Sequence, residues 1–288
     1  MTVIHLATRT ANFTTDDDMY FPVSLRPFCA EYRDDMEEAQ VADADKFRAV
    51  VREDTNEVLA VHGKGYKLAR NEDVFPQFED GLRMSNLDLT DMYTKVELND
   101  NGASVVKTYH FPAHSVEINN YDAVDMQLRV RNSYDGRWAF STILGGFRLL
   151  CSNGMTIGDT FMSTYGRHTK GLDVSESIKK VDNAAEIYLN HQEVWKHWAN
   201  RAVTEGQVMT LLRDEMKFPE AYVSMITGLF MKEAQGMGPT IWALFNALTF
   251  WSTHGKAQKG AQSSVIQDNR EKRIRTITNS SGFLRLAA

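Results

Sequence analysis

Met92-Tyr-Thr-Lys-Val-Glu-Leu98 and Ser104-Val-Val-Lys-Thr-Tyr-His-Phe111 alternate apolar and polar residues on either side of Asn99-Asp-Asn-Gly102. Alternation with a period of two puts one set of side chains on each face of a strand. Asn and Gly tolerate the positive φ that tight hairpin turns demand, so the three segments read together as a β-hairpin. Downstream, Val116-Glu-Ile118, Asp125-Met-Gln-Leu-Arg-Val-Arg131 and Trp138-Ala-Phe-Ser-Thr-Ile143 continue the pattern, the last two joined through Asn132-Ser-Tyr-Asp-Gly136. Short strands at this spacing with no helix between them predict an antiparallel meander. Upstream, Ala49-Val-Val-Arg52 and Val58-Leu-Ala-Val61 flank Asp54-Thr-Asn56 as a second hairpin, with Tyr66-Lys-Leu68 as a short third strand. Asn71, Glu72 and Asp73 open a short helix over residues 72–84, whose Phe75, Phe78 and Leu82 recur at helical spacing.

After Cys151-Ser-Asn-Gly154 the period changes to that of helices. Ile178, Val181, Ala185, Tyr188, Trp195 and Ala199 form an amphipathic stripe. Thr204 and Gln207 make a capping box. Pro219 can start a helix running to about Gln235, and Thr240 to His254 reads as a very apolar helix stopped by Gly255. A basic segment from Gln258 to Thr278 predicts a last helix before the Phe283-Leu284 tail. Strands first and helices afterwards predict an α+β fold. Its plan is an N-terminal antiparallel β-meander with one inserted helix, then a C-terminal helical region. Three regions are expected: an irregular acidic N-terminal arm (1–46), a sheet domain (47–172), and helices ending in a basic tail (173–288).

With 43% hydrophobic and 24% charged residues among 288, the chain can bury a core. Its two cysteines, Cys29 and Cys151, and an N-terminus without a signal-peptide pattern predict a reducing cytoplasm. The formal charge of −6 does not by itself suggest a polyanionic partner. Its distribution is polarised, however. Residues 1–60 hold 13 acidic and 6 basic residues, whereas residues 253–288 hold 7 basic and 2 acidic.

Several blocks then carry a resemblance. They are Val51-Arg-Glu-Asp54, Val58-Leu-Ala-Val61, Tyr66, Ser133-Tyr-Asp-Gly136, Phe147-Arg-Leu-Leu-Cys-Ser-Asn-Gly-Met155, His168-Thr169 and Trp242-Ala-Leu-Phe-Asn-Ala-Leu-Thr249, in this order. Together they resemble the phage and plasmid protein family of domain of unknown function 932, over roughly residues 47–285. Membership implies a mobile-element origin and no particular activity. The order hairpin, helix, second antiparallel series is also similar to the core of Rad52-like single-strand annealing proteins, a likeness of fold.

Two basic tracts are candidates for phosphate binding. In the meander, Arg129, Arg131, Arg137 and Arg148 lie among Tyr134, Trp138 and Phe147. A basic groove with aromatic platforms is how single-stranded nucleic acid is commonly held. The competing reading is a sheet surface whose arginines pair with Asp122, Asp125 or Asp135. In the tail, Lys256, Lys259, Arg270, Lys272, Arg273 and Arg275 would track phosphates or simply face water. Cys151 and His168 could form a nucleophile and base, but no acid or oxyanion donor is spelled out. His110 and His114 are separated by Pro112, and no phosphate-binding loop occurs, so no metal or cofactor is expected. The expected function is therefore non-enzymatic: nucleic-acid binding, as an oligomeric single-stranded DNA annealing or recombination factor. The alternative is a module that binds a host protein through the acidic N-terminal arm.

Overall fold

The computed structural model describes residues 15–33, 39–119, 122–148, 153–156, 163–166, 181, 183–255 and 263–288. The fold is α+β, with antiparallel sheets first and helices mostly after them. Strands β1 (Val23–Arg33), β2 (Ala39–Arg52) and β3 (Glu57–Gly63) form a three-stranded sheet in that order. Helix α1 (Asn71–Arg83) follows. Strands β4 (Tyr93–Asn99), β5 (Ser104–Asn119), β6 (Asp122–Ser133) and β7 (Phe140–Arg148) then run in sequence order through a second sheet. Strands β8 (Asn153–Thr156) and β9 (Ser163–Gly166) both pair with β7, at different heights.

The opening hairpin folds as its alternation predicts, with Asn99 opposite Ser104 and Tyr93 opposite His110. Asp100, Asn101 and Gly102 all take positive φ between these strands. Strand β5 absorbs Val116-Glu-Ile118 into one strand, because Pro112 falls at a register shift between Phe111 and Val116. A proline is tolerated there since a bulge leaves its missing N–H without consequence.

The N-terminal region departs from expectation. Residues 23–33 and 39–52 are strands, not an irregular arm. Their alternation is hidden because Val41 and Phe47 of β2 are exposed, as are Val58 and Val61 of the neighbouring β3, so one face of the small sheet never becomes a clean apolar stripe. Only Phe21, Val23, Val50 and Tyr134 form a buried cluster beneath it. Tyr66–Leu68 is not a strand. The change to helix at Cys151 is also corrected, since β8 and β9 come later; four-residue strands are too short to carry a period.

Helix α1 lays Val74, Phe75, Phe78 and Leu82 on one face of the second sheet, with Phe78 against Tyr109 (5.6 Å) and Phe75 against Phe140 (6.3 Å). The later helices are α2 (Ala184–Asn200), α3 (Glu205–Thr210, prolonged by a π turn at Leu211–Glu215), α4 (Glu220–Met237), α5 (Ile241–His254), α6 (Ser263–Thr278) and α7 (Ser281–Ala287). Their starts follow the sequence signals: the Thr204–Gln207 capping box forms, and the Thr240 side chain accepts from Ala243 N–H. Helix α5 is buried nearly all round, as a uniformly apolar helix must be. Tyr188 of α2 donates a hydrogen bond to the Val124 carbonyl of β6 (2.7 Å), tying helices to sheet. No helix among the described residues is long and apolar enough to cross a membrane.

Candidate nucleic-acid interface

The meander arginines are not gathered on an open face. Arg148 is fully buried: its Nε donates to Asp122 Oδ2 (2.7 Å) and its Nη1 to Glu233 Oε2 (2.8 Å). Trp242 Nε1 donates to the same Asp122 oxygen (2.8 Å), so this cluster clamps the sheet to α4 and α5. Arg129 forms a two-pronged pair with Glu271 of α6, at 2.9 and 2.8 Å. Arg131 is buried over the Trp138 ring, 4.9 Å from its centroid. Arg137 pairs with Asp100 (2.5 Å) and Asp135 (3.0 Å). Tyr134 is no platform either; it is buried, and its hydroxyl accepts from Asn71 N–H (3.0 Å). Trp138 is likewise covered, with Arg131 over its ring.

The physical reason is desolvation. A guanidinium on a strand that helices cover must take a carboxylate partner, since an unpaired buried charge costs several kcal/mol. The competing reading, pairing with Asp122 and Asp135, describes Arg148 and Arg137. The two partners supplied by helices, Glu233 and Glu271, carry no signal in the local sequence.

The basic tail is placed differently. Helix α6 carries Arg270, Glu271, Lys272, Arg273 and Arg275 within less than two turns, so they point to different sides. Glu271 faces the sheet; Lys272 is exposed and Arg275 half-buried. Lys272, Arg275, Thr276, Asn279 and Ser280, with Met216, line an open concavity of about 580 Å³ without a carboxylate. Arg273 donates to the Met216 carbonyl and lies 4.8 Å over the Phe218 ring. Arg270 donates to the Gly255 carbonyl (2.8 Å) and stands 5.4 Å over the Trp251 ring. Lys256 and Lys259 lie outside the described residues, as do Cys151 and His168.

Beside α6 is an aromatic cluster. Trp251 meets Phe218 and Tyr222 edge to face, with centroids 5.7 and 6.1 Å away, and Phe218 lies tilted against Tyr222 at 6.3 Å. Phe250 and His254 stack at 4.5 Å. Burial holds the His254 imidazole below its ordinary pKa, the Phe250 carbonyl opposing this only in part. On the helices, Arg270 and Arg273 thus meet aromatic rings, whereas Lys272 and Arg275 line a separate concavity on another side of α6. The sequence reading singled out Lys272, Arg273 and Arg275 but not Tyr222, Met225 and His254, which with Phe250 line a groove between α4 and α5. The usable signal was Tyr222 and Met225, three apart on one helix, followed by an apolar helix with Phe250 and His254 four apart at its end.

Among the described residues no cluster of three or more histidine, cysteine or carboxylate groups could hold a metal ion. No solved structure matches the chain. Residues 58–278 match the sequence model described as domain of unknown function (DUF932). That match includes Arg148 and Trp242, which meet through Asp122, and it spans most of the chain. The chain belongs to the DUF932 family.

Proposed function

We propose that this chain is a non-enzymatic nucleic-acid-binding protein of a phage or plasmid, acting in the cytoplasm of the host on single strands. The observation that carries the reading is the concavity on α6, where Lys272 and Arg275 stand together with Thr276, Asn279 and Ser280 and no carboxylate lines the wall. Two cations beside hydroxyl and amide groups suit phosphate oxygens, because each ammonium or guanidinium displaces condensed counterions when it meets one. The net charge of −6 is no obstacle if contact is confined to this surface, since at physiological salt charges more than about 8 Å apart are largely screened. In an annealing or recombination role, neighbouring copies would each present one strand.

Fluorescence anisotropy with single- and double-stranded oligonucleotides over a salt series tests this. The intact chain should bind single strands with affinity that falls as salt rises. Lys272→Ala with Arg275→Ala should reduce the slope of log affinity against log salt by about 1.4, two contacts at roughly 0.7 each. An unchanged slope, or no salt-sensitive binding by the intact chain, overturns the reading.

A further inference from the structure

The surface between α4 and α5, next to the α6 cations, is a groove of about 580 Å³, within the roughly 300–1,000 Å³ usual for small-ligand sites. Ala221, Met225 and Leu229 of α4 form one wall, and Phe250 with His254 of α5 forms the other. Trp251 and Tyr222 lie at its base, edge to face at 6.1 Å. Arg270 closes one end, its guanidinium fixed by the Gly255 carbonyl. Phe250 is only half-buried and Met225 is exposed, although both are large and apolar. A groove with apolar walls, stacked rings and a fixed cation at one end calls for a flat, polarisable occupant attached to an anion.

We infer that this groove takes one unpaired nucleobase of a strand whose phosphates lie along α6. Charge complementarity selects that occupant. Arg270 stands at the groove; at 3.6 residues per turn, Lys272 and Arg275 lie about 200° and 140° round the same helix from it, at the other concavity. A base in the groove therefore has its own phosphate beside Arg270, and the strand meets Lys272 and Arg275 by passing round α6. Phe250 and Met225 present faces on which any base can stack, so recognition is tolerant of sequence, with purines favoured for their larger ring. A paired base is held in the duplex and cannot enter, which makes the groove the source of preference for single strands. The inference rests on the nucleic-acid reading above, and specifies where the base goes.

The test compares, on the intact chain, an oligonucleotide carrying one 2-aminopurine with an abasic oligonucleotide of equal length and charge. Both have the same phosphates, so only the base contact distinguishes them. Base stacking at roughly 1–3 kcal/mol corresponds to about 5- to 150-fold weaker binding of the abasic strand, and to quenching of 2-aminopurine emission. Phe250→Ala should abolish the quenching and the abasic discrimination but keep the salt slope, and Phe250→Tyr should restore both. If Phe250→Ala does not fold, Met225→Trp serves instead, because its indole fills the groove from the exposed side. Equal affinity for both strands with a normal salt slope and no quenching overturns the base pocket and leaves the phosphate surface standing. Failure to bind either strand overturns both.

Discussion

Arg148 carries more of the structure than its strand position suggests. It joins Asp122 on β6 to Glu233 on α4, and Asp122 in turn accepts from Trp242. Breaking a buried pair from one side costs roughly 3–5 kcal/mol because the remaining charge is left without compensation. Arg148→Ala should therefore lower unfolding free energy in urea by about that amount, and adding Asp122→Asn to it should cost much less than the sum of the two single changes. His110 gives a pH dependence. It is buried against Tyr93 (4.6 Å between centroids), and burial, helped by nearby Lys95, pushes its pKa down to about 4. A histidine depressed in the fold is neutral there, whereas the unfolded chain takes up a proton below about pH 6.5. Its contribution is thus present above pH 6.5 and is lost as pH falls towards 4, by up to about 3 kcal/mol. Urea melts at pH 7.5 and pH 5 should differ in this sense, and His110→Gln should flatten the difference; a variant that keeps the full pH dependence assigns it elsewhere.

At the scale of elements, what the sequence made legible followed local chemistry. The β4–β5 hairpin was readable because its turn requires residues that accept positive φ, and Gly102 sits at φ 95°. A Cβ there would also meet the Phe21 ring. Gly102→Ala should consequently destabilise the protein by about 1–3 kcal/mol in thermal or urea melts, more than an alanine at the unobstructed Gly206. Helices α3 and α5 were readable from Thr204, Gln207 and Thr240, whose side chains cap their first turns. Strands β1 and β2 were not, because acidic residues and an exposed apolar face blur their alternation. The proposed interface was half legible. Lys272 and Arg275 stood in a visible basic tract, but nothing near Arg129 announces Glu271, 142 residues away. Likewise Phe250 and Met225 look in sequence like ordinary core, and only the packing of α4 on α5 leaves them half open.

For the molecule as a whole, the proposed reading gives the two basic tracts opposite duties, and this can be measured. Arg129→Ala removes both prongs of the pair from the largely buried Glu271, so it should reduce stability by a few kcal/mol while the salt slope of oligonucleotide binding stays unchanged. Lys272→Ala should do the reverse, changing the slope with little effect on the melt, as substitution of an exposed side chain does. A result in which both variants move the same quantity would mean that sheet and helices do not divide the work in this way. Among the described residues, the basic side chains thus divide between ion pairs at the sheet, as at Arg129 and Arg148, and cations lining a concavity, as at Lys272.

The clamp formed by Arg148, Asp122 and Trp242 has a bearing on how relatives should be compared. Two chains that agree at these letters share an interior joint, and the agreement is silent on cargo. Divergence in ligand would be written instead at Tyr222, Met225, Phe250 and Lys272, positions that an alignment anchored on the joint treats as background.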